Sequence, residues 1–186
     1  MKLETQLAKL AELGLVLNLG ITIDDLLYSL DRQSFEDEPF ECLLFSLGIE
    51  VEREPWGRRI CNSVWNFDTE CIVSTGDYVE IVRNLCGLTG EPDYLTDIVD
   101  YINIEGGECW LEYNIGDKRQ HWTIEPNDDW ADMMAIAYVM EDLQRDGKQF
   151  YTKDNGQAMI LFYLDRETAV KLGDLCDEDL EPVIPA

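Results

Sequence analysis

A single histidine limits the catalytic chemistry available to this chain. His121 is the only imidazole in 186 residues, so any mechanism in which histidine activates a serine or cysteine must use it. Antiparallel counting across a turn at Gly116-Asp117 places His121 opposite Glu112, as a base and its orienting carboxylate would lie. A surface histidine facing a surface acid across a sheet gives the same pair. Since no serine or cysteine lies in a recognisable nucleophile motif, we interpret this pair as a surface contact and predict no catalytic residue.

Metal-ligating residue types are present without the spacing of a metal site. The six cysteines form no CxxC pair, and zinc needs three or four well-placed ligands. The Asp154-Asn155-Gly156 segment lacks the alternating ligands of an EF-hand, and Asp128, Asp129 and Asp132 are explained as acids at a helix start. We therefore predict no metal and no cofactor. With 39 acidic side chains, a carboxylate- or metal-dependent enzyme stays open as an alternative.

Residues 97–125 carry the clearest structural pattern. Turns at Gly106-Gly107 and Gly116-Asp117 are typical of two-residue hairpin loops and predict a meander of three antiparallel strands. Counting from both turns predicts four facing pairs: Ile104 with Cys109, Ile102 with Leu111, Leu111 with Trp122, and Cys109 with Ile124. The alternation places apolar side chains on one face of the sheet and mostly polar side chains on the other.

The polar face of this predicted sheet carries two large aromatic side chains. Tyr101 and Trp110 share it with Glu108, Glu112 and Glu125. Tyr and Trp surrounded by charge are typical anchors of protein interfaces, so we predict these five residues as a partner-binding site. The alternative is that a helix from the first half of the chain covers this face and buries both rings.

The first half of the chain supplies mainly helices. Leucines at helical spacing predict a helix over residues 3–17, with Gly14 as a possible break, and a second helix over residues 22–30. Residues 31–39 are predicted as a loop, and residues 40–48 fit either a short helix or a strand. Strand-forming residues are frequent over residues 58–72.

Three helices and a hairpin complete the second half. Ser74 or Thr75 would cap a helix ending near Gly87, and Asn127 or Asp128 would cap a largely buried helix that runs to Gly147. A turn at Asn155-Gly156 predicts a hairpin over residues 149–164 inside a sheet, and Asp165 would cap the last helix. The predicted cross-strand pairs of this hairpin are Phe150 with Leu161 and Tyr151 with Ile160.

These patterns predict one α+β domain over residues 1–186. Its helical N-terminal portion covers about residues 1–48, and its sheet and helices cover about residues 58–175. The sheet is mainly antiparallel, a three-strand meander plus a hairpin, with helices packed against it. Residues 174–186 are predicted as a frayed acidic tail.

The charge balance restricts the class of partner. The chain has 14 basic and 39 acidic side chains, a formal net charge of −25, and residues 91–186 hold 7 of the former and 23 of the latter. Nucleic acids and anionic membranes bind clustered Lys and Arg, so we predict that neither is a direct partner. A basic protein is the expected partner, although a merely solvated acidic surface is the alternative.

The cellular location is predicted from what the sequence lacks. The chain begins without the basic start and apolar run of a secretory signal. Its longest apolar run, residues 133–140, is too short to cross a bilayer. With 46% hydrophobic residues the chain can bury a core, so we expect a soluble cytoplasmic protein of unknown oligomeric state.

Residues 75–175 resemble the small immunity proteins of bacterial polymorphic-toxin and contact-dependent-inhibition systems. The likeness lies in size, acidity and element order: the helix after Gly76, the meander, the Trp130 helix, the Asn155-Gly156 hairpin and a final helix. The resemblance implies a non-catalytic inhibitor that occludes the active or substrate surface of a toxin, often a basic nuclease. The acids would then mimic substrate phosphates. Besides the enzyme named above, a structural or adaptor subunit of a larger complex is an alternative.

Overall fold

Helices dominate the first half of the chain and strands the second. A computed structural model describes residues 1–156 and 158–184 of the chain. The helices are α1 (Leu3–Glu12), α2 (Ile23–Ser29), α3 (Arg32–Asp37), α4 (Glu41–Leu47), α5 (Asp77–Leu88), α6 (Met133–Leu143) and α7 (Arg166–Cys176). The strands are β1 (Val64–Asp68), β2 (Leu95–Asn103), β3 (Glu108–Ile115), β4 (Lys118–Thr123), β5 (Lys148–Asn155), β6 (Ala158–Asp165) and β7 (Glu181–Pro182). The α+β class predicted from the sequence is confirmed.

The strands form two antiparallel sheets. One has the order β1-β6-β5-β7 and the other is the meander β2-β3-β4. The hairpin strands β5 and β6 are the two inner strands of the larger sheet, as their apolar side chains on both faces predicted. None of the described helices has the length and apolar composition needed to span a membrane.

The larger sheet separates two hydrophobic cores. Alternation along β6 sends Ile160 and Phe162 to one side and Leu161 and Tyr163 to the other. Helices α1 to α4 and α7 pack on the first side. Helices α5 and α6 pack on the second side, where α5 contacts both β1 and β2 and therefore lies between the two sheets. The N-terminal helices are thus on the far side of the larger sheet from the meander.

The polar segment 31–39 contains a helix that the sequence analysis predicted as a loop. Asp31 begins α3 by accepting the backbone N–H of Ser34, at 3.0 Å, and Phe35 is buried. The buried Gln6 side chain ties this helix to α1, since its Nε2 donates to the carbonyl of Phe35 at 2.6 Å. The Oε1 of Gln6 accepts the backbone N–H of Phe40, the residue before α4. Of the two alternatives predicted for residues 40–48, a short helix or a strand, the helix is therefore correct.

All three predicted hairpins are present, but two of their registers are wrong by two residues. The Gly116-Asp117 turn has the predicted length and pairs Leu111 with Trp122. The first hairpin pairs Ile102 with Cys109, not with Leu111, because its loop spans residues 104–107. The hairpin of β5 and β6 pairs Phe150 with Tyr163 and Tyr151 with Phe162, in a register in which Asn155 pairs with Ala158. Residue 157 lies outside the described residues.

Helix α5 begins differently from the prediction. Its first residues are capped neither by Ser74 nor by Thr75, but by Asp100 of β2, which accepts the N–H groups of Gly76 and Tyr78 at 2.7 and 2.9 Å. Thr75 instead accepts the N–H of Ile102 through its hydroxyl, at 3.0 Å. Helix α5 is therefore fastened at its first turn to the strand it packs on.

Helix α6 begins later and ends earlier than predicted. Asp132 is its cap and accepts the N–H groups of Met134 and Ala135, because residues 127–131 turn back to bond the segment that follows β1. The helix ends at Leu143. The prediction that it is largely buried is wrong in part, since Met134 is 62% exposed and Tyr138 38% exposed.

The C-terminal segment does not fray in its described part. Asp165 caps α7 as predicted, accepting the N–H of Thr168 at 2.9 Å. Strand β7 then pairs with β5, and the N–H of Val183 donates to the carbonyl of Phe150 at 3.0 Å. Residues 185 and 186 of the predicted tail lie outside the described residues.

Candidate functional site

The outer face of the β2-β3-β4 sheet brings the predicted aromatic residues together. Tyr101 pairs with Trp110 across β2 and β3, and their rings stack with centroids 6.0 Å apart and planes inclined by 26°. The imidazole of His121, diagonal to Trp110 on β4, extends the row with centroids 6.1 Å apart. We call this surface the aromatic face; its members are Val99, Tyr101, Trp110, Glu112, His121 and Thr123.

The aromatic face is open to solvent in the described part of the chain. Tyr101 is 38% exposed, Val99 is 42% exposed, and Trp110 is partly buried. The N-terminal helices pack on the far side of the larger sheet and do not cover these rings. The opposite face of the same strands is buried, since Cys109, Leu111 and Tyr113 all belong to the core around α5 and α6.

Glu112, on this face, contacts two side chains of β4 through its carboxylate. Its Oε2 accepts from Nη2 and Nε of Arg119, at 2.6 and 3.2 Å, and its Oε1 lies 2.9 Å from Nδ1 of His121. These two contacts, that of Arg119 first, hold the pKa of Glu112 below its ordinary value. The carboxylate predicted to meet a partner is therefore already engaged by two side chains of β4.

The other two predicted acids lie at one end of the sheet. Glu108 begins β3 and is exposed, and Glu125 follows the end of β4 with its backbone N–H donated to Asp132. Neither side chain forms an ion pair with another described residue. The structure thus brings Tyr101, Trp110 and Glu112 into one cluster and places Glu108 and Glu125 at the edge of that cluster.

A bulge in β2 fixes one corner of the aromatic face. The pairing of β2 with β3 shifts between Thr96 and Val99, where Asp97 adopts φ of +49°. The carbonyl of Asp97 accepts from Nη1 of Arg119 at 2.8 Å, and its carboxylate accepts from Asn114 at 2.7 Å. The guanidinium of Arg119 is therefore bonded to Glu112 through Nε and Nη2 and to Asp97 through Nη1.

Sequence reasoning placed His121 opposite Glu112 but did not include Arg119, His121 or Thr123 of β4 in the predicted site. Arg119, His121 and Thr123 alternate along the strand after the correctly predicted Gly116-Asp117 turn, so their shared face with Glu112 was available from the register. The hydrogen bonds from Arg119 to Glu112 could not be predicted from the register, because they depend on the rotamers of two long side chains. The face is therefore mixed in charge near its centre and acidic at its Glu108 end.

Metal-ligating side chains are not grouped in the described part of the chain. Within residues 1–156 and 158–184, no three His, Cys, Asp or Glu side chains form a group that could hold a metal ion. Burial raises the pKa of Cys61, Cys71 and Cys176, to about 11 for the last two, which disfavours the reactive thiolate.

Comparison with protein-family models, with curated proteins and with solved structures finds no match to this chain. Functional inference therefore depends on the geometry of the aromatic face and on the charge of the chain.

Proposed function

We propose that this chain is a non-catalytic, acidic binding protein that receives a basic protein partner on its aromatic face. Following the resemblance of its element order to bacterial immunity proteins, we further propose that it acts in the cytoplasm. There it would neutralise a toxin domain by covering the active or substrate surface of that domain.

One observation supports this proposal: the exposed Tyr101 ring stacks on the partly buried Trp110 ring, on a sheet whose other face packs in the core. Stacked rings on paired strands lose little side-chain entropy when a partner covers them, so they suit the role of interface anchors. Their faces can also receive a lysine or arginine of the partner through cation–π contact. A fold that needed these rings for its own core would have buried them.

The charge distribution supports a basic partner. Glu108 and Glu125 flank the rings without ion pairs in the described structure, and the net charge of −25 would steer a basic protein toward the chain. Glu112 has a different role in this proposal from that of a phosphate mimic. It positions Arg119 and His121, and so keeps β4 aligned beside the aromatic rings.

Co-expression tests the proposal. The gene adjacent to the one for this chain would be expressed alone and together with this chain, and growth would be compared. We expect the neighbour to be toxic alone and harmless in the presence of this chain, with a complex on a sizing column. A neighbour that is harmless alone, or toxic whether or not this chain is present, would refute the immunity function.

Two alanine variants locate the surface. Trp110→Ala should abolish protection from the toxin, whereas Trp56→Ala should preserve it. Trp56 is the control because it is 67% exposed and lies on the loop between α4 and β1, whose Arg58 pairs with Asp25 of α2. Loss of protection with Trp56→Ala alone would move the binding surface to that loop.

A further inference from the structure

Strand β4 is an open edge of its sheet. Among the described residues its only strand neighbour is β3, and the register runs from Trp110 with Thr123 to Ile115 with Lys118 without a bulge. The N–H of Ile124 donates to the carbonyl of Cys109 at 2.9 Å. By antiparallel alternation, the even-numbered residues of β4 therefore bond β3, and the backbone groups of Arg119, His121 and Thr123 point away from it.

The outward backbone groups of β4 are unoccupied by other described elements. No described helix, strand or loop donates to or accepts from the backbone of Arg119, His121 or Thr123, and all three residues are exposed. An extended chain is the chemical complement of such a row, since it presents N–H and C=O groups at the same spacing.

This edge has few of the features that usually block strand addition. It has no proline and no bulge, and charged side chains are its only protection. Of these, Arg119 lies across the aromatic face with its guanidinium bonded to Glu112 and Asp97, so it does not guard the edge. Lys118 stands at the start of the strand, next to the turn.

An apolar surface adjoins the edge on the inner side of the sheet. The indole of Trp122 stacks on the ring of Tyr138 of α6, with centroids 4.3 Å apart and planes inclined by 13°. Tyr138 and Met134, one helical turn earlier on the same face of α6, are 38% and 62% exposed. Side chains of an added strand that point inward would cover these two residues.

We propose that an extended segment of the basic partner adds to β4 as a fourth strand of this sheet. Its inward side chains are apolar and pack on Tyr138 and Met134, and its lysine or arginine side chains lie at the two ends of the added strand, beside Asp117 and Glu125. The inference rests on the proposed function, because it specifies how the same basic partner binds.

The charges around β4 favour a segment of a basic partner over a second copy of this chain as the added strand. Acids stand at both ends of β4, Asp117 in the turn before it and Glu125 after it, and Glu141 is exposed on α6. These acids complement a basic segment. Two copies, each of net charge −25, would repel, and pairing centred on Gln120 would place Arg119 opposite His121.

Hydrogen exchange with a defined peptide tests strand addition directly. The probe is a synthetic peptide about as long as β4, with valine at its inward positions, threonine at its central outward positions and lysine at both ends, and the control is the same peptide with N-methyl groups along one edge of its backbone. We expect the first peptide to slow exchange of the His121 and Thr123 amides by roughly tenfold or more, and the methylated peptide to leave it unchanged. Equal protection by both peptides, or no protection at β4, would overturn the proposal.

A proline substitution provides an independent test. Thr123→Pro removes an outward N–H without removing a bond between β3 and β4, and Thr123→Val keeps that N–H as the matched control. We expect Thr123→Pro to weaken binding of the unmethylated peptide by roughly fivefold or more and Thr123→Val to change it little. Equal affinities for folded samples of both variants would contradict strand addition. If Thr123→Pro fails to fold by circular dichroism, the methylated peptide decides.

The failures of the two proposals can be told apart. If Trp110→Ala abolishes protection from the toxin and a folded Thr123→Pro does not, the proposed function stands and strand addition is wrong. If the peptide protects β4 while no neighbouring toxin is found, strand addition stands and the immunity function is wrong. Sedimentation that shows a dimer dissociated by Thr123→Pro would replace the basic partner with a second copy and overturn our assignment.

Discussion

The ring of Tyr101 on β2 stacks on the indole of Trp110 on β3 while both side chains stay in contact with solvent. The two strands are fixed from their other face, where Cys109 and Leu111 belong to the core. Support from below and exposure above make the pair rigid without making it part of the core. The functional proposal depends on this arrangement: one face of the sheet packs in the core, and the other face presents the two rings to solvent.

Removing the displayed rings should cost little stability. Tyr101→Ala and Trp110→Ala should each lower the free energy of unfolding by about 1 kcal/mol, the typical worth of a cross-strand aromatic pair. Leu111→Ala, a fully buried site on the same strand as Trp110, should cost about 3 kcal/mol. Urea denaturation measures all three, and equal losses would show that the rings serve the fold.

Removing Asp100 should destabilise the junction of α5 and β2. Asp100→Ala leaves the N–H groups of Gly76 and Tyr78 without their acceptor in a largely buried site, and should cost about 2 kcal/mol. Asp93→Ala, at an exposed position before the same strand, should cost less than about 0.5 kcal/mol. Thermal unfolding of both variants provides the comparison, and similar melting temperatures would contradict the capping role.

Asp25 should make part of the stability depend on acid pH. Burial alone would raise its pKa, but the N–H of Thr22 and the guanidinium of Arg53 outweigh burial and lower the pKa to about 2, from 3.8. A carboxyl whose pKa is lower in the folded state stabilises the fold above its unfolded pKa and loses that contribution as pH falls. The contribution is therefore complete above about pH 5 and disappears between about pH 4 and pH 2.

The Asp25→Asn variant isolates this contribution. At pH 7 it should be less stable than the wild-type chain by roughly 2 kcal/mol, and the difference should shrink as the pH falls toward 2. Denaturant unfolding at a series of pH values measures that difference while cancelling the response of the other acids. A difference that stays constant from pH 7 to pH 2 would show that Asp25 is not the group responsible.

Alanine substitutions at two glycines should change the stability of the fold in opposite directions. A Cβ at Gly48 would lie 2.5 Å from the backbone nitrogen of Asn66, so Gly48→Ala forces α4 away from β1 and should cost more than about 1 kcal/mol. A Cβ at Gly87, within α5, would meet nothing within 4 Å, so Gly87→Ala should stabilise by about 0.5–1 kcal/mol. Calorimetric melting temperatures that move in the same direction would contradict this packing.

The hairpin registers show what the sequence pattern can and cannot decide. The pattern predicted the strands, their order and which residues share a face, and all of these hold for the meander. It did not decide whether Ile102 faces Leu111 or Cys109. Side chains alternate with a period of two, so a shift of two residues leaves every side chain on the same face. Only the conformation of the loop distinguishes the two registers.

Contacts between distant segments account for the other differences. The cap of α5 comes from Asp100, beyond the end of that helix in sequence, and local cap preferences cannot reveal it. Helix α3 has one buried apolar residue, Phe35, and its polar sequence gives no helical period. At the candidate site, the alternation of side chains predicted that Tyr101 and Trp110 share a face, whereas the hydrogen bonds from Arg119 to Glu112 depend on the folded side chains.

The salt dependence of association tests the proposed binding surface most directly. The measurement is the association rate constant between this chain and the product of the adjacent gene, at several salt concentrations. It compares two double variants. The first carries Glu108→Lys and Glu125→Lys, and the second carries Glu12→Lys and Glu52→Lys. Both double variants change the net charge equally, but the second pair lies with the N-terminal helices and the loop after α4, away from the aromatic face.

We predict that the Glu108 and Glu125 variant associates roughly tenfold more slowly at low salt and depends less steeply on salt. The Glu12 and Glu52 variant should associate at nearly the wild-type rate. If the two variants slow association equally, the acids act only through net charge, and the claim that a basic partner docks on the aromatic face is contradicted.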